Sequence, residues 1–229
     1  MRLIQHILRR VPWTSYAQCG EDLLARYFLC DMLGIAKPSY LDLGAHDPTW
    51  LSNTYLFYRR GCRGVCVEPN PHSCRAIKRT RPKDICLTCG VGVTASTSAP
   101  FFVMDPPTLS SFSKAFIDAN LANPLYRLKE TVSTPLLTTS EIIARHFPTP
   151  PNFVSVDLEG LDEQIILAWD FEKYRPELFC VETVAHHDRS KVDTITEAFT
   201  RAGYRVFADT YINTLYVEGH AWDRWQSRA

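Results

Sequence analysis

Neither sign of charge dominates this sequence. Lys plus Arg and Asp plus Glu both number 25, so the formal net charge is zero. A dedicated nucleic-acid binder carries a basic surplus to neutralise phosphates, so that class is set aside. No apolar run is long enough to span a bilayer, and no secretory core precedes a small-residue cleavage site. Internal repeats and low-complexity tracts are missing. So is G-x-G-x-x-G: Gly44 is followed by Ala45-His46-Asp47, which disfavours a dinucleotide pyrophosphate site. The eight cysteines include Cys86-x-x-Cys89, but no second pair at zinc-ribbon spacing. Cys62, Cys66 and Cys74 also lack iron–sulfur spacing. Several cysteines sit inside apolar runs and read as small buried hydrophobes in a reducing, cytoplasmic setting. No metal is expected.

What is present is an alternation of strands and helices over 229 residues, a length suited to one domain covering 1–229. The basic, amphipathic start, MRLIQHILRRVPW, reads as a docking helix or a surface or targeting contact, within a helical cap at 1–36. A helix is expected at 21–33, then strands at 40–44, 64–68, 85–92, 153–159 and 177–183. Helices are expected from Ser52-Asn53-Thr54 to Arg60, over 72–80, from the Thr138-x-x-Glu141 capping box, from 160 to Trp169, and over 190–202. The basic residues of 59–83, Arg81 among them, read as a solvated face, and Trp50, Trp222 and Trp225 as core packing in preference to stacking on a sugar. Residues 93–135 are less regular and form a variable, acceptor-side insertion. YRVFAD and NTLYVE close the pattern without an intervening helix, so they must pair as a hairpin.

The expected architecture is α/β: a Rossmann-like, mostly parallel seven-stranded sheet with an antiparallel C-terminal hairpin and helices on both faces. This pattern suits the Class I S-adenosylmethionine-dependent methyltransferase fold. Ligands of such sheets lie beyond the carboxyl ends of the strands. YLDLGAHDP places Asp42 and Gly44 at that edge of the first strand, and GVCVEPNP places Glu68 and Pro69 at that edge of the second. An ammonium or sulfonium near Asp42 and a ribose hydrogen-bonded to Glu68 would satisfy both acids. Gly44 allows close backbone approach, and the helix start near Asn53 offers N–H groups to a carboxylate. VSVDLEGLDEQ gathers Asp157, Glu159, Asp162 and Glu163. By strand alternation Asp157 and Glu159 share a side. Asp162 and Glu163 suit a helix N-terminus, and Glu182 a supporting place at the fifth strand end.

YAQCGEDLL, YLDLGAHDPTWLSNTYLFYRRGCRGVCVEPNP and FVSVDLEGLDEQIILAWDFEKYRPELFCVE together resemble the FkbM-type methyltransferases, over most of 16–183. The resemblance implies S-adenosylmethionine as cofactor and O-methylation of a hydroxyl on a small molecule, sugar or polyketide-like product. It places the glycine loop on Asp42, Gly44 and Asn53, the ribose acid on Glu68, and a D-x-E-G block on Asp157, Glu159 and Gly160. Cys19 departs from the pattern beside Gln18. The expected cofactor set is Gln18, Asp42, Gly44, Ala45, Asn53, Glu68, Pro69 and Asp157. The expected catalytic set is Glu159, His186 and Asp157, with His187 beside it. A catalytically silent cofactor-binding partner is the rival reading, and a nicotinamide oxidoreductase is disfavoured.

Overall fold

The computed structural model describes residues 14–185 and 190–227. The N-terminal segment 1–13, His186 and His187 lie outside them. The main sheet has seven strands in the order β3-β2-β1-β7-β8-β10-β9. These are β1 (Tyr40–Leu43), β2 (Gly64–Val67), β3 (Ile85–Leu87), β7 (Phe153–Val156), β8 (Leu178–Glu182), β9 (Tyr204–Asp209) and β10 (Asn213–Glu218). The first five pair in parallel, and β10 runs antiparallel to both β8 and β9. The terminal hairpin is therefore present, with its second strand inserted inside the first.

Every residue of β1, β7 and β10 is buried, as expected of strands covered on two faces. Alternation sends Leu41, Leu43, Val154 and Val156 to one face, where Ile142, Ile165, Ile195 and Phe199 of the helices pack on them. Tyr40 and Phe153 pack on the other, against Phe28, Leu29, Phe57 and Ala221. Helix α1 (Glu21–Arg26) widens into a π-helical turn, Tyr27–Met32, so the helix expected over 21–33 is continuous but not uniform.

Several expectations need correction. The strand expected at 85–92 splits: β3 stays in the main sheet, while Gly90–Val91 (β4) leaves it. That short strand joins β5 (Ser96–Asp105) and β6 (Arg127–Leu137) in a second sheet ordered β4-β6-β5. The insertion at 93–135 thus carries two long strands with a helix, Lys114–Leu121, between them. Its solvent-exposed pairs lack apolar alternation, which hid β6 in the sequence. The helix after β1 starts at Tyr55 with Thr54 in the N-cap position, and Ser52 Oγ accepts from the Tyr55 N–H, so the Ser52-Asn53-Thr54 start holds as read. A last helix, Gly219–Gln226, follows β10 and is capped by Glu218. The capping box at Thr138 and Glu141 forms as read.

Arg81 is fully buried rather than solvated. It pairs with Asp84 at 2.8 Å, lies 3.9 Å from Asp42, and donates to Thr54 Oγ1 at 2.9 Å. Of the cysteines, Cys19 is exposed and Cys30 half-buried; the other six are buried and all eight are free.

Candidate active site

The chain crosses from β3 to β7 past β1, so the switch in strand order falls between β1 and β7. Their carboxyl ends approach closely there. Gly44 has φ +86°, and a Cβ on it would lie 1.8 Å from the Asp157 carbonyl oxygen. Only glycine fits both the backbone conformation and the space. Above this junction opens a cavity of about 480 Å³.

One end of the cavity is built by β2. Glu68 is 4% exposed and its two oxygens accept from the backbone N–H of Asn70 (2.7 Å) and of His46 (2.8 Å). Those bonds fix the carboxylate plane and leave a lone pair on each oxygen for a ligand. Burial pushes its pKa up to about 7 against the lowering by the two N–H groups. Pro69 and Asn70 line the same end, Asn70 also capping the following helix through His72 N–H. His46, at φ +42°, is held toward its neutral form by burial, against the opposing pull of Asp47.

Gln18, Gly44 and Asn53 also line the cavity, as the sequence suggested, with Asn53 Nδ2 donating to Ser155 Oγ at 3.1 Å. Asp42 and Ala45 do not. Asp42 sits on the Tyr40 face of β1, and its Oδ2 accepts from Thr54 Oγ1 at 2.5 Å, beside Arg81. It supports the site from beneath instead of facing a ligand. Ala45 is buried against Cys66, Cys74 and Ile77.

The other end is acidic. β7 stops at Val156, so strand alternation does not place Glu159; a left-handed turn does, with φ +49° at Glu159 and +89° at Gly160. Asp157 and Glu159 nonetheless both line the cavity, together with Glu182, which stands in the wall itself and not behind it. Burial, with the charges of Asp157 and Glu182 adding to it, holds the Glu159 carboxyl well above the usual range. Burial likewise pushes Glu182 up to about 8. Asp162 is buried and accepts from Leu158 N–H at 2.9 Å, which pins the turn from inside. Ser111 pins it from outside, its Oγ donating to the Glu159 carbonyl at 2.9 Å. Glu163 accepts from Thr194 Oγ1.

The second sheet and the segment between its two long strands supply a wall, with Phe101 from β5 and Leu109 and Phe112 from the segment. Phe112 lies over Gly90, where a Cβ would meet its ring at 2.3 Å. Trp50, expected in the core, is 61% exposed at the cavity. Trp222 packs against Phe207 and Trp225 as expected. Asn213 lines the acidic end and was missed. Its strand runs antiparallel, so the first residue of NTLYVE, not the last, reaches this edge. Among the described residues no group of three or more His, Cys, Asp or Glu is arranged to hold a metal ion. No helix among them is long and apolar enough to cross a membrane.

A parallel sheet closed by an inserted antiparallel strand, with an acid at the β2 end and acids at the β7 end, defines a Rossmann-like class I methyltransferase. The chain belongs to the FkbM methyltransferase family: the model of the methyltransferase FkbM domain matches residues 42–206. Its cofactor is accordingly S-adenosylmethionine. Among solved structures, the chain is similar to a TehB-like SAM-dependent methyltransferase from Corynebacterium glutamicum (8% identity, TM-score 0.46, 95% of this chain and 94% of that one). It is also similar to an O-methyltransferase from Bacillus cereus in complex with SAH (12%, 0.45, 93% and 86%). A third is the 1,6-didemethyltoxoflavin-N1-methyltransferase of Burkholderia thailandensis (12%, 0.42, 94% and 84%). No curated protein matches the chain.

The residues present fit the cofactor. Glu68 offers two fixed acceptors to a ribose diol, and among the described residues no lysine or arginine lines the cavity to call for a phosphate instead. Glycine at position 44 keeps side-chain bulk out of the crevice between β1 and β7.

Proposed function

We propose that the protein transfers a methyl group from S-adenosylmethionine to a hydroxyl oxygen of a small-molecule or saccharide acceptor. The observation that carries this reading is Glu159, a buried carboxyl in the cavity wall whose proton affinity is raised by burial and by neighbouring acids. An alcohol attacking a methyl group must lose its proton, and a carboxylate of raised pKa is a competent base for that step. Bound S-adenosylmethionine supplies an electrophilic methyl group. The chain's own residues do the rest. Glu68, Pro69, Asn53 and Gln18 hold the donor, Asp157 positions the reacting groups, and Glu159 takes the proton. In-line alignment at near-attack distance supplies much of the acceleration.

The test is methyl transfer from isotopically labelled S-adenosylmethionine into a metabolite extract, with the linkage of the labelled methyl read by NMR. An oxygen-linked methyl is expected; a nitrogen- or carbon-linked one overturns the reading. Glu159→Gln is expected to lower single-turnover rate on the order of 100- to 10,000-fold while cofactor affinity stays nearly unchanged. His186→Gln is measured beside it, since the sequence offers that histidine as a second base. If both variants keep the wild-type rate and pH profile, proximity alone drives the transfer.

A further inference from the structure

Asn213 opens β10 and is 3% exposed, yet it lines the cavity. Its Nδ2 donates to Glu21 Oε1 at 3.0 Å. A carboxylate oxygen only accepts, so this bond settles which way the amide is turned. Glu21 is itself held in place: Oε1 also accepts from Thr210 Oγ1 at 2.6 Å, and Oε2 from the Cys19 N–H at 2.7 Å. Among the described residues no donor bonds to the remaining amide oxygen, Oδ1. That oxygen meets the cavity that Asn213 lines, and an acceptor already held in one orientation loses little freedom when a ligand donor replaces solvent on it.

Strand order says which ligand this is. Asn213 is the register partner of Glu182 on β8. From β2, which carries the ribose acid, to β10 there are four strand spacings in the sheet, roughly 19 Å at ~4.8 Å each. Asn213 is therefore remote from the ribose end and stands on the acidic side of the cavity, beyond Asp157 and Glu159.

We propose that Asn213 Oδ1 accepts a hydrogen bond from an O–H or N–H of the methyl acceptor. The acceptor then carries a second donor besides the oxygen that is methylated: a polyhydroxylated or amino-hydroxylated molecule, not a simple alcohol. Glu21, in the YAQCGEDLL block, is a positioning residue that acts through Asn213. The inference rests on the reading of this cavity as the site of methyl transfer to oxygen.

Two measurements test it. In the first, a crystal structure of the complex with S-adenosylhomocysteine is expected to leave Asn213 Oδ1 beyond hydrogen-bond distance of every cofactor atom; a direct bond overturns the assignment to the acceptor. This arm needs no turnover, so it stands even where transfer to oxygen fails. The second compares Asn213→Ala, Glu21→Ala and Glu21→Gln by labelled methyl transfer into a metabolite extract and by S-adenosylhomocysteine calorimetry. Asn213→Ala and Glu21→Ala are expected to lose at least tenfold in transfer at low acceptor concentration, with inhibitor affinity within twofold of wild type. Glu21→Gln, whose amide oxygen still accepts from Asn213, restores most of it. Wild-type transfer in Asn213→Ala, parallel loss of inhibitor affinity, or a methylated product lacking any further O–H or N–H overturns the proposal.

Discussion

On the proposed reading, Glu68 ties pH to both stability and ligand affinity. Its folded pKa, about 7, is raised from an ordinary value of 4.5. Between those values the folded protein binds more protons than the unfolded chain, so stability falls as pH rises through this window. Glu68→Gln is expected to remove that component of the slope in denaturant titrations at pH 5 and pH 8. Affinity runs the other way. A ribose diol donates to the ionised carboxylate, so S-adenosylmethionine is expected to bind about tenfold more weakly at pH 6 than at pH 8, where ionisation is nearly complete. Glu68→Ala costs about 1–3 kcal/mol of binding at pH 8, the scale of a charge-assisted hydrogen bond. Titration calorimetry across this pH range checks both; a flat profile with intact fold removes Glu68 from the ribose site.

At the scale of elements, the junction of β1, the helix after it and the β3 lead-in is held by one buried guanidinium. Arg81 joins Asp84, Asp42 and Thr54 with no exposure. Arg81→Ala leaves two buried carboxylates without their cation, and the expected loss is about 3–5 kcal/mol of unfolding free energy. Arg81→Lys is not expected to rescue, because an ammonium cannot reproduce the planar fork. Gly44→Ala acts on the neighbouring contact: its Cβ would drive β1 away from Asp157. Loss of cofactor binding is expected there before loss of the sheet, read by calorimetry beside circular dichroism.

The same elements show what the sequence could reveal. Glu68 and Asp157 were legible because each directly follows an apolar strand, and the carboxyl edge of a parallel sheet is where ligands bind; Glu159 reaches the same edge through a left-handed turn that strand alternation does not describe. Asp42 misled because both faces of β1 are buried, so the acid on it could face a helix as easily as a ligand. Arg81 was hidden for the same reason: its partners are brought to it by β1 and by the turn before β3, which no local pattern announces. Asn213 was hidden by strand direction, and Trp50 by the habit of counting tryptophan as core.

For the molecule as a whole, balanced charge has a direct consequence. The sequence isoelectric point is about 7.0. Solubility is expected to pass through a minimum near neutral pH and to rise on either side, since repulsion between copies vanishes there. Precipitation assays at low ionic strength from pH 5 to pH 9 check this, and a monotonic profile contradicts it. Proton transfer to a carboxylate calls for no divalent ion, so EDTA is expected to leave methyl transfer intact; loss restored by magnesium would recast Asp157 and Glu159 as ligands.

The insertion of β10 between β8 and β9 also sets an order of events during synthesis. Chain growth delivers β1, β2, β3, β7 and β8 in turn, and each after β1 finds a neighbour already made, β7 by returning to β1. β9 emerges before its native partner, because among the described residues it pairs with the strand that follows it. Until β10 arrives, β8 presents an open edge of the kind that invites mispairing. The same late strand brings Asn213 to Glu21, a contact spanning 192 positions of sequence. A nascent chain halted before residue 213 would thus hold the β2 end of its pocket without the far end, and its exposed edge would be a natural target for chaperones.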